Sequence, residues 1–211
     1  MIVILHRTTG DPVLRLDGES LKGRNLRGRK ISDGDFSTMM MEGVDLTFAS
    51  LNGVQFDQAF LDRTNFSNAF LSQVSAHSAS MVEVEMVETT VIGANFRKAD
   101  LSRSQLRYAK MADVDFTEAQ LSGANLSMAV IAGSLVKADL RGADLRGADL
   151  RGADLTDAKL TGTQITSARL PASFQLASDG STAVPKNVPG RRRPEAINQN
   201  KQRPWWNLWS S

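Results

Sequence analysis

From Ala138 to Leu155 the chain repeats the phrase ADLRG with almost no variation. A five-residue period fits neither an amphipathic helix, whose apolar positions fall three and four apart, nor a half-buried strand, where they alternate. It calls for a backbone that turns once per repeat. With the Leu of each phrase as a centre, Leu140, Leu145, Leu150, Leu155, Leu160, Ile165 and Leu170 hold one register. A second register steps by fives from Leu21, Leu26, Ile31 and Phe36 to Leu126 and Ile131, and along it only Ala76 is not a large apolar residue. Two residues before the centre the chain prefers something small, as at Ala49, Ala59, Ala69 and Ala99, or Val, as at Val44 and Val54. Large and small inward side chains in alternation suit a narrow solenoid. The other three places are mostly polar and face water, and Gly at the last of them (Gly43, Gly53, Gly93, Gly123) eases a turn that needs unusual backbone angles.

Iterated in this way, A(D/N)LxG resembles the pentapeptide-repeat family over about residues 16 to 170. The resemblance implies an all-β fold, a right-handed parallel β-helix of square cross-section with four pentapeptides to a coil. Residues twenty apart should then stack, and Phe36, Phe56, Phe96 and Phe116 are separated by multiples of twenty. Ala76 is the missing rung of that ladder, so Ala76→Phe is expected to raise the melting temperature, and Phe66 is the central Phe that falls off it. Nine residues separate Ile131 from Leu140 where two pentapeptides need ten, so the register slips once, at a corner. About thirty pentapeptides make seven to eight coils, a rod roughly 35 Å long at ~4.8 Å per coil.

A rod of this kind has exposed sheet edges at its ends that need covering. Residues 1–17 read as a capping β-hairpin built from Ile2 to Leu5 and Val13 to Leu16 around a TTGDP turn, and residues 18–170 as the β-helix. Pro171 stops the repeat, with Phe174 and Leu176 placed to lie over the last coil. Residues 171–211 read as a basic, mostly disordered tail with a Trp-rich end.

Charge divides unevenly between rod and tail. Lys186, Arg191, Arg192, Arg193, Lys201 and Arg203 stand against Asp179 and Glu195, which leaves residues 1–170 slightly negative under a net charge of +2. Catalytic groups are scarce: two His, one Tyr and no Cys. The sequence therefore predicts no enzyme, no metal centre and no cofactor, and the glycines belong to the repeat rather than to a phosphate loop. The lack of cysteine points to the cytoplasm. The five apolar residues at the start are too few for a signal peptide, and no segment has the ~20 apolar residues that span a bilayer.

Surfaces for a partner are easier to find. Val82, Val87 and Ile92 occupy normally polar places among Glu83, Glu85 and Glu88, and Phe60 and Phe70 stand where Asp or Asn is usual. Arg141, Arg146 and Arg151 should leave from three sides of the rod as solvated residues rather than as one anion site. In the tail, Trp205, Trp206 and Trp209, all the tryptophan of the chain, follow Arg191, Arg192 and Arg193. The leading expectation is a non-catalytic structural or protein-interaction scaffold, a rigid rod whose Trp/Arg tail docks a protein partner. Attachment of the tail to an anionic membrane surface is an alternative, as is a homodimer. The family resemblance implies another: DNA mimicry directed at type II topoisomerases, with gyrase inhibition or quinolone protection, which needs a strongly acidic face. Direct nucleic-acid binding lacks a groove-reading element.

Overall fold

In a computed structural model the described residues, 1–176 and 183–185, form a parallel β-solenoid with four sides, preceded by a hairpin. Side 1 is a seven-stranded parallel sheet of β3 (Lys30–Ser32), β4 (Ser50–Asn52), β5 (Phe70–Ser72), β6 (Thr90–Ile92), β7 (Lys110–Asp115), β8 (Val130–Ser134) and β9 (Asp149–Asp154). Sides 2, 3 and 4 are ladders of single parallel bridges, running Asp35, Gln55, Ser75 and Asn95 on side 2, Met40, Phe60, Ser80 and Asp100 on side 3, and Asn25, Asp45, Asn65 and Glu85 on side 4. Partners twenty residues apart on every side establish the four-sided coil that the family resemblance implies.

The five-residue period follows from two bonds and one torsion. Each centre donates its N–H to the coil above, as Leu46 does to Asn65 O at 2.8 Å, and each residue before a centre donates to the coil below, as Asp45 does to Arg24 O at 2.8 Å. The corner closes when the residue two before the next centre donates back to the last centre, as Ala49 does to Leu46 O at 3.0 Å. The second residue after the centre takes a positive φ, 67° at Gly43 but also 60° at Phe48, 57° at Glu88 and 58° at Tyr108. Glycine suits that place, yet most corners carry another residue, which costs roughly 1–2 kcal/mol in the left-handed region. The sheet bonds and the core outweigh that cost.

The core is the column of centres with the small residues between them. Where the small place carries a hydroxyl, it finds the same acceptor each time: Thr64 donates to Met41 O, Thr89 to Phe66 O, Ser104 to Met81 O and Thr163 to Leu140 O, all at 2.8–3.0 Å. On side 2 Phe36 lies 5.4 Å from Phe56, and Phe96 stacks on Phe116 at 5.0 Å with 11° between the rings. Between these pairs Phe66 projects from side 4, half a coil above Phe56, and meets its ring edge-on at 6.0 Å.

The register slip is concentrated in one step. Ile131 to Leu135 spans four residues, and Leu135, a buried centre five before Leu140, restores the five. Met111 pairs with Ile131 but Val114 pairs with Gly133, so the corner of β8 is one residue short. Gly133 (φ 140°) is obligatory there, because a Cβ would fall 2.0 Å from the Val114 carbonyl oxygen.

At the start, β1 (Ile2–Leu5) pairs antiparallel with β2 (Pro12–Leu16) and buries Ile4 against the first coil. The hairpin is fastened to the corner between sides 1 and 2. Arg7 N–H donates to Asp33 O and Asp35 N–H to Leu5 O, and the Arg7 guanidinium lies 3.1 Å from the Asp33 carboxylate. His6 accepts the N–H groups of Thr8 and Thr9 on Nδ1 and turns Nε2 toward Asp33 at 3.8 Å, a structural role. At the other end Phe174 is buried in the core, and β10 (Phe174–Leu176) pairs antiparallel with β11 (Ala183–Pro185). These two strands fall inside the segment that the sequence reads as a tail.

Candidate interaction surface

Most polar groups of the rod serve the rod. Asp or Asn before a centre accepts the N–H two residues on, as Asp45 does from Thr47 and Asn65 from Ser67. In the ADLRG stretch Arg141, Arg146 and Arg151 fold back on their own repeats, 2.6 Å from Asp139, 2.7 Å from Asp144 and 2.6 Å from Asp149. The hydrogen bonds from each arginine hold its aspartate below the usual carboxylate range, and the aspartate raises the arginine in turn. The three arginines do leave from three sides, and each is already neutralised.

The residues proposed as an outward apolar patch are dispersed. Val82 lies on side 3, Val87 on side 4 and Ile92 on side 1, all half-buried. Phe60 on side 3 is 48% exposed and Phe70 on side 1 is 41% exposed. The structure adds a neighbour that sequence reasoning passed over: Met40, 62% exposed, bridges directly to Phe60 in the coil above. The ladder continues above them with Ser80 and Asp100, so the two form a short apolar stripe on side 3, the side that also carries Val82.

Beside that stripe runs a chain of charge. Glu83 accepts from Arg63 and from Arg103, each at 3.1 Å, one coil below and one above. Those two hydrogen bonds lower its carboxyl pKa. Asp62 takes Ser80 Oγ at 2.6 Å and Val82 N–H at 3.0 Å. On the same side lies Glu42, whose Oε2 is buried and accepts no hydrogen bond from any described residue. Phe48, Tyr108 and Met128 are also exposed, at the last place of the repeat, where a large apolar residue in place of Gly was the available signal.

Acidic residues do not gather on one side. Side 2 carries Asp35, Asp57 and Asp154, but its Asp115 and Glu118 are matched by Arg97 at 3.3 Å and Lys98 at 4.0 Å. Trp205, Trp206, Trp209, Arg191, Arg192 and Arg193 lie outside the described residues.

A profile of the family "Pentapeptide repeats" matches residues 41–75, 99–133 and 134–170 in eight copies, and the chain belongs to that family. Solved structures of similar fold include HetL, a pentapeptide repeat protein involved in heterocyst differentiation regulation from the cyanobacterium Nostoc sp. Strain PCC 7120. It is 23% identical over 77% of this chain and 89% of that one, with a TM-score of 0.38. A trypsin-treated form of QnrB1, a plasmid-mediated fluoroquinolone resistance protein, is 22% identical over 77% and 87% of the two chains, with a TM-score of 0.46. Rfr23, from the cyanobacterium Cyanothece 51142, is 20% identical over 71% and 89%, with a TM-score of 0.24. No curated protein matches the chain.

Proposed function

We propose that this pentapeptide-repeat protein is a non-catalytic interaction scaffold, with side 3 of the rod holding a protein partner and the Trp/Arg tail giving a second point of attachment. The observation that carries the reading is the Met40–Phe60 pair, two large apolar residues exposed in adjacent coils of side 3. A segment that lays an apolar side chain on this pair would cover exposed carbon. The two Phe-sized anchors of such a contact suit a hot spot flanked by charge, here the Arg63–Glu83–Arg103 chain. The alternative that the family resemblance implies, DNA mimicry directed at a type II topoisomerase, needs an acidic face, and the interleaved ion pairs on side 2 weigh against it.

The test is affinity capture with quantitative mass spectrometry on the full chain, on Met40→Ser/Phe60→Ser, and on Trp205→Ser/Trp206→Ser/Trp209→Ser. Proteins held by the wild type and lost from both variants support the scaffold. A partner set unchanged in the side 3 variant removes that side from the interaction.

A further inference from the structure

The edge where side 4 turns into side 1 differs from the other three in what it places in the strained position. Phe48, Tyr108 and Met128 occupy one column along this edge, with φ of 60°, 58° and 60° and exposures of 53%, 43% and 52%. The corresponding places on the other edges hold glycine or polar residues: Asp33, Gln73 and Asp113 after side 1, Lys98, Glu118 and Asp157 after side 2, Arg63, Glu83 and Arg103 after side 3. A large apolar residue gains nothing for the fold by standing in the left-handed region and in water at once. Strain of that kind, repeated in a single column, points to use of the side chains.

The flanks of this edge are basic. On side 4 the Arg27 guanidinium lies 4.4 Å over the Phe48 ring, and Arg107 lies 5.4 Å from the Tyr108 ring. On side 1 Phe70 stands beside the column, in a ladder with Lys30 and Ser50 below it, and Lys110 follows two coils on. The first coil adds Arg29, and neither it nor Arg27 and Lys30 form an ion pair among the described residues, whereas Arg63, Arg97, Arg103, Arg141, Arg146 and Arg151 all do. Asn68, Glu88 and Ser167 are the polar members of the column, and on side 4 Asp45 is occupied by Thr47 while Glu85 accepts from Asn65. From Phe48 to Met128 is four coils, roughly 20 Å at ~4.8 Å each.

We infer that this edge lies lengthwise on an anionic lipid surface, with Phe48, Phe70, Tyr108 and Met128 at the level of the headgroups and the flanking Arg and Lys residues against lipid phosphates and carboxylates. Apolar side chains in a line with cations on both sides are the pattern of an element that rests in the interface plane. The edge is convex, which suits a flat surface. A single-stranded nucleic acid prefers a basic groove with free ring faces, and one face of Phe48 is already under Arg27. This surface is separate from side 3 and independent of the tail.

Co-sedimentation of the full chain with phosphatidylcholine–phosphatidylserine vesicles, against phosphatidylcholine alone, tests it. Phe48→Gly/Tyr108→Gly/Met128→Gly is the decisive variant, because glycine accepts the observed φ at all three places and thermal melting will verify the fold. Binding to the anionic vesicles should fall about tenfold or more in this variant, in keeping with the apolar area removed. It should weaken with added salt in the wild type, and persist in Trp205→Ser/Trp206→Ser/Trp209→Ser. Wild-type-like binding of the glycine variant, abolition by the tail variant, or no preference for phosphatidylserine would each overturn the inference. So would binding of a fluorescent oligonucleotide, lost in Arg27→Gln/Arg107→Gln, without binding to vesicles.

Discussion

Ala76 shows how a single place in the repeat depends on its neighbour across the rod. The gap in the Phe ladder suggests a void, and filling a void with a ring would stabilise. In the structure, however, the cross-section above Phe56 already contains a ring, because Phe66 enters from side 4 and sets its edge against Phe56. Phe66 lies half a coil below Ala76 as it lies half a coil above Phe56, and all three are fully buried. A second ring at 76 must compete with it. Ala76→Phe alone should therefore lower stability by about 1–3 kcal/mol, the usual cost of overpacking. Phe66→Leu added to it should recover most of the loss. Urea unfolding of the two single variants and the double gives the coupling, and additive effects would show that 66 and 76 do not share the space.

At the scale of the element, the shortened corner of β8 is where the repeat is least tolerant. Gly133→Ala puts a methyl into the Val114 backbone and forces a residue into φ 140°, a cost of about 3 kcal/mol or more. Inserting one residue after Ala132 returns the corner to five, so the insertion should rescue Gly133→Ala while doing little to the wild type. Thermal melting of the four chains checks this, and failure of the rescue would mean that Gly133 is required for a reason other than the missing residue. The sequence made the deletion legible, since nine residues stand where ten belong. It also held the short step, since Leu135 stands five before Leu140 and four after Ile131, but with the later register begun at Leu140 that centre is passed over. The core centres were legible because they depend on periodicity and side-chain size alone; the four sides came with the family resemblance, which the Phe spacing supports, and the first cap with two apolar runs around a turn. The candidate surface was much less so. Val82, Val87 and Ile92 are close in the chain but go to three sides, whereas Met40 and Phe60, twenty residues apart, meet. The β10–β11 pair also escaped, because three-residue strands carry no pattern of their own.

For the whole molecule, carboxylates bound to arginines along the coils link stability to pH. Arg141, Arg146 and Arg151 lower Asp139, Asp144 and Asp149 by direct hydrogen bonds, and Arg63 and Arg103 lower Glu83. Burial pushes Asp115 up, but the Thr117 hydroxyl and N–H and the Arg97 guanidinium outweigh it and leave that carboxyl lowered too. A carboxyl whose pKa is lower folded than unfolded adds stability above its unfolded value, about 4 for an unperturbed side chain, and loses it as the pH falls through the folded value. Stability should thus hold nearly level from neutral pH to about 5 and decline below about 4. The arginines are largely exposed, so each pair contributes little and salt screens it, and the effect rests on their number. Arg141→Gln/Arg146→Gln/Arg151→Gln should flatten the acid limb of a plot of urea midpoint against pH while leaving the β-sheet circular dichroism at pH 7 unchanged. A limb as steep as in the wild type would assign acid unfolding to general charge repulsion, because acidification leaves the basic chain with its cations and few anions to balance them.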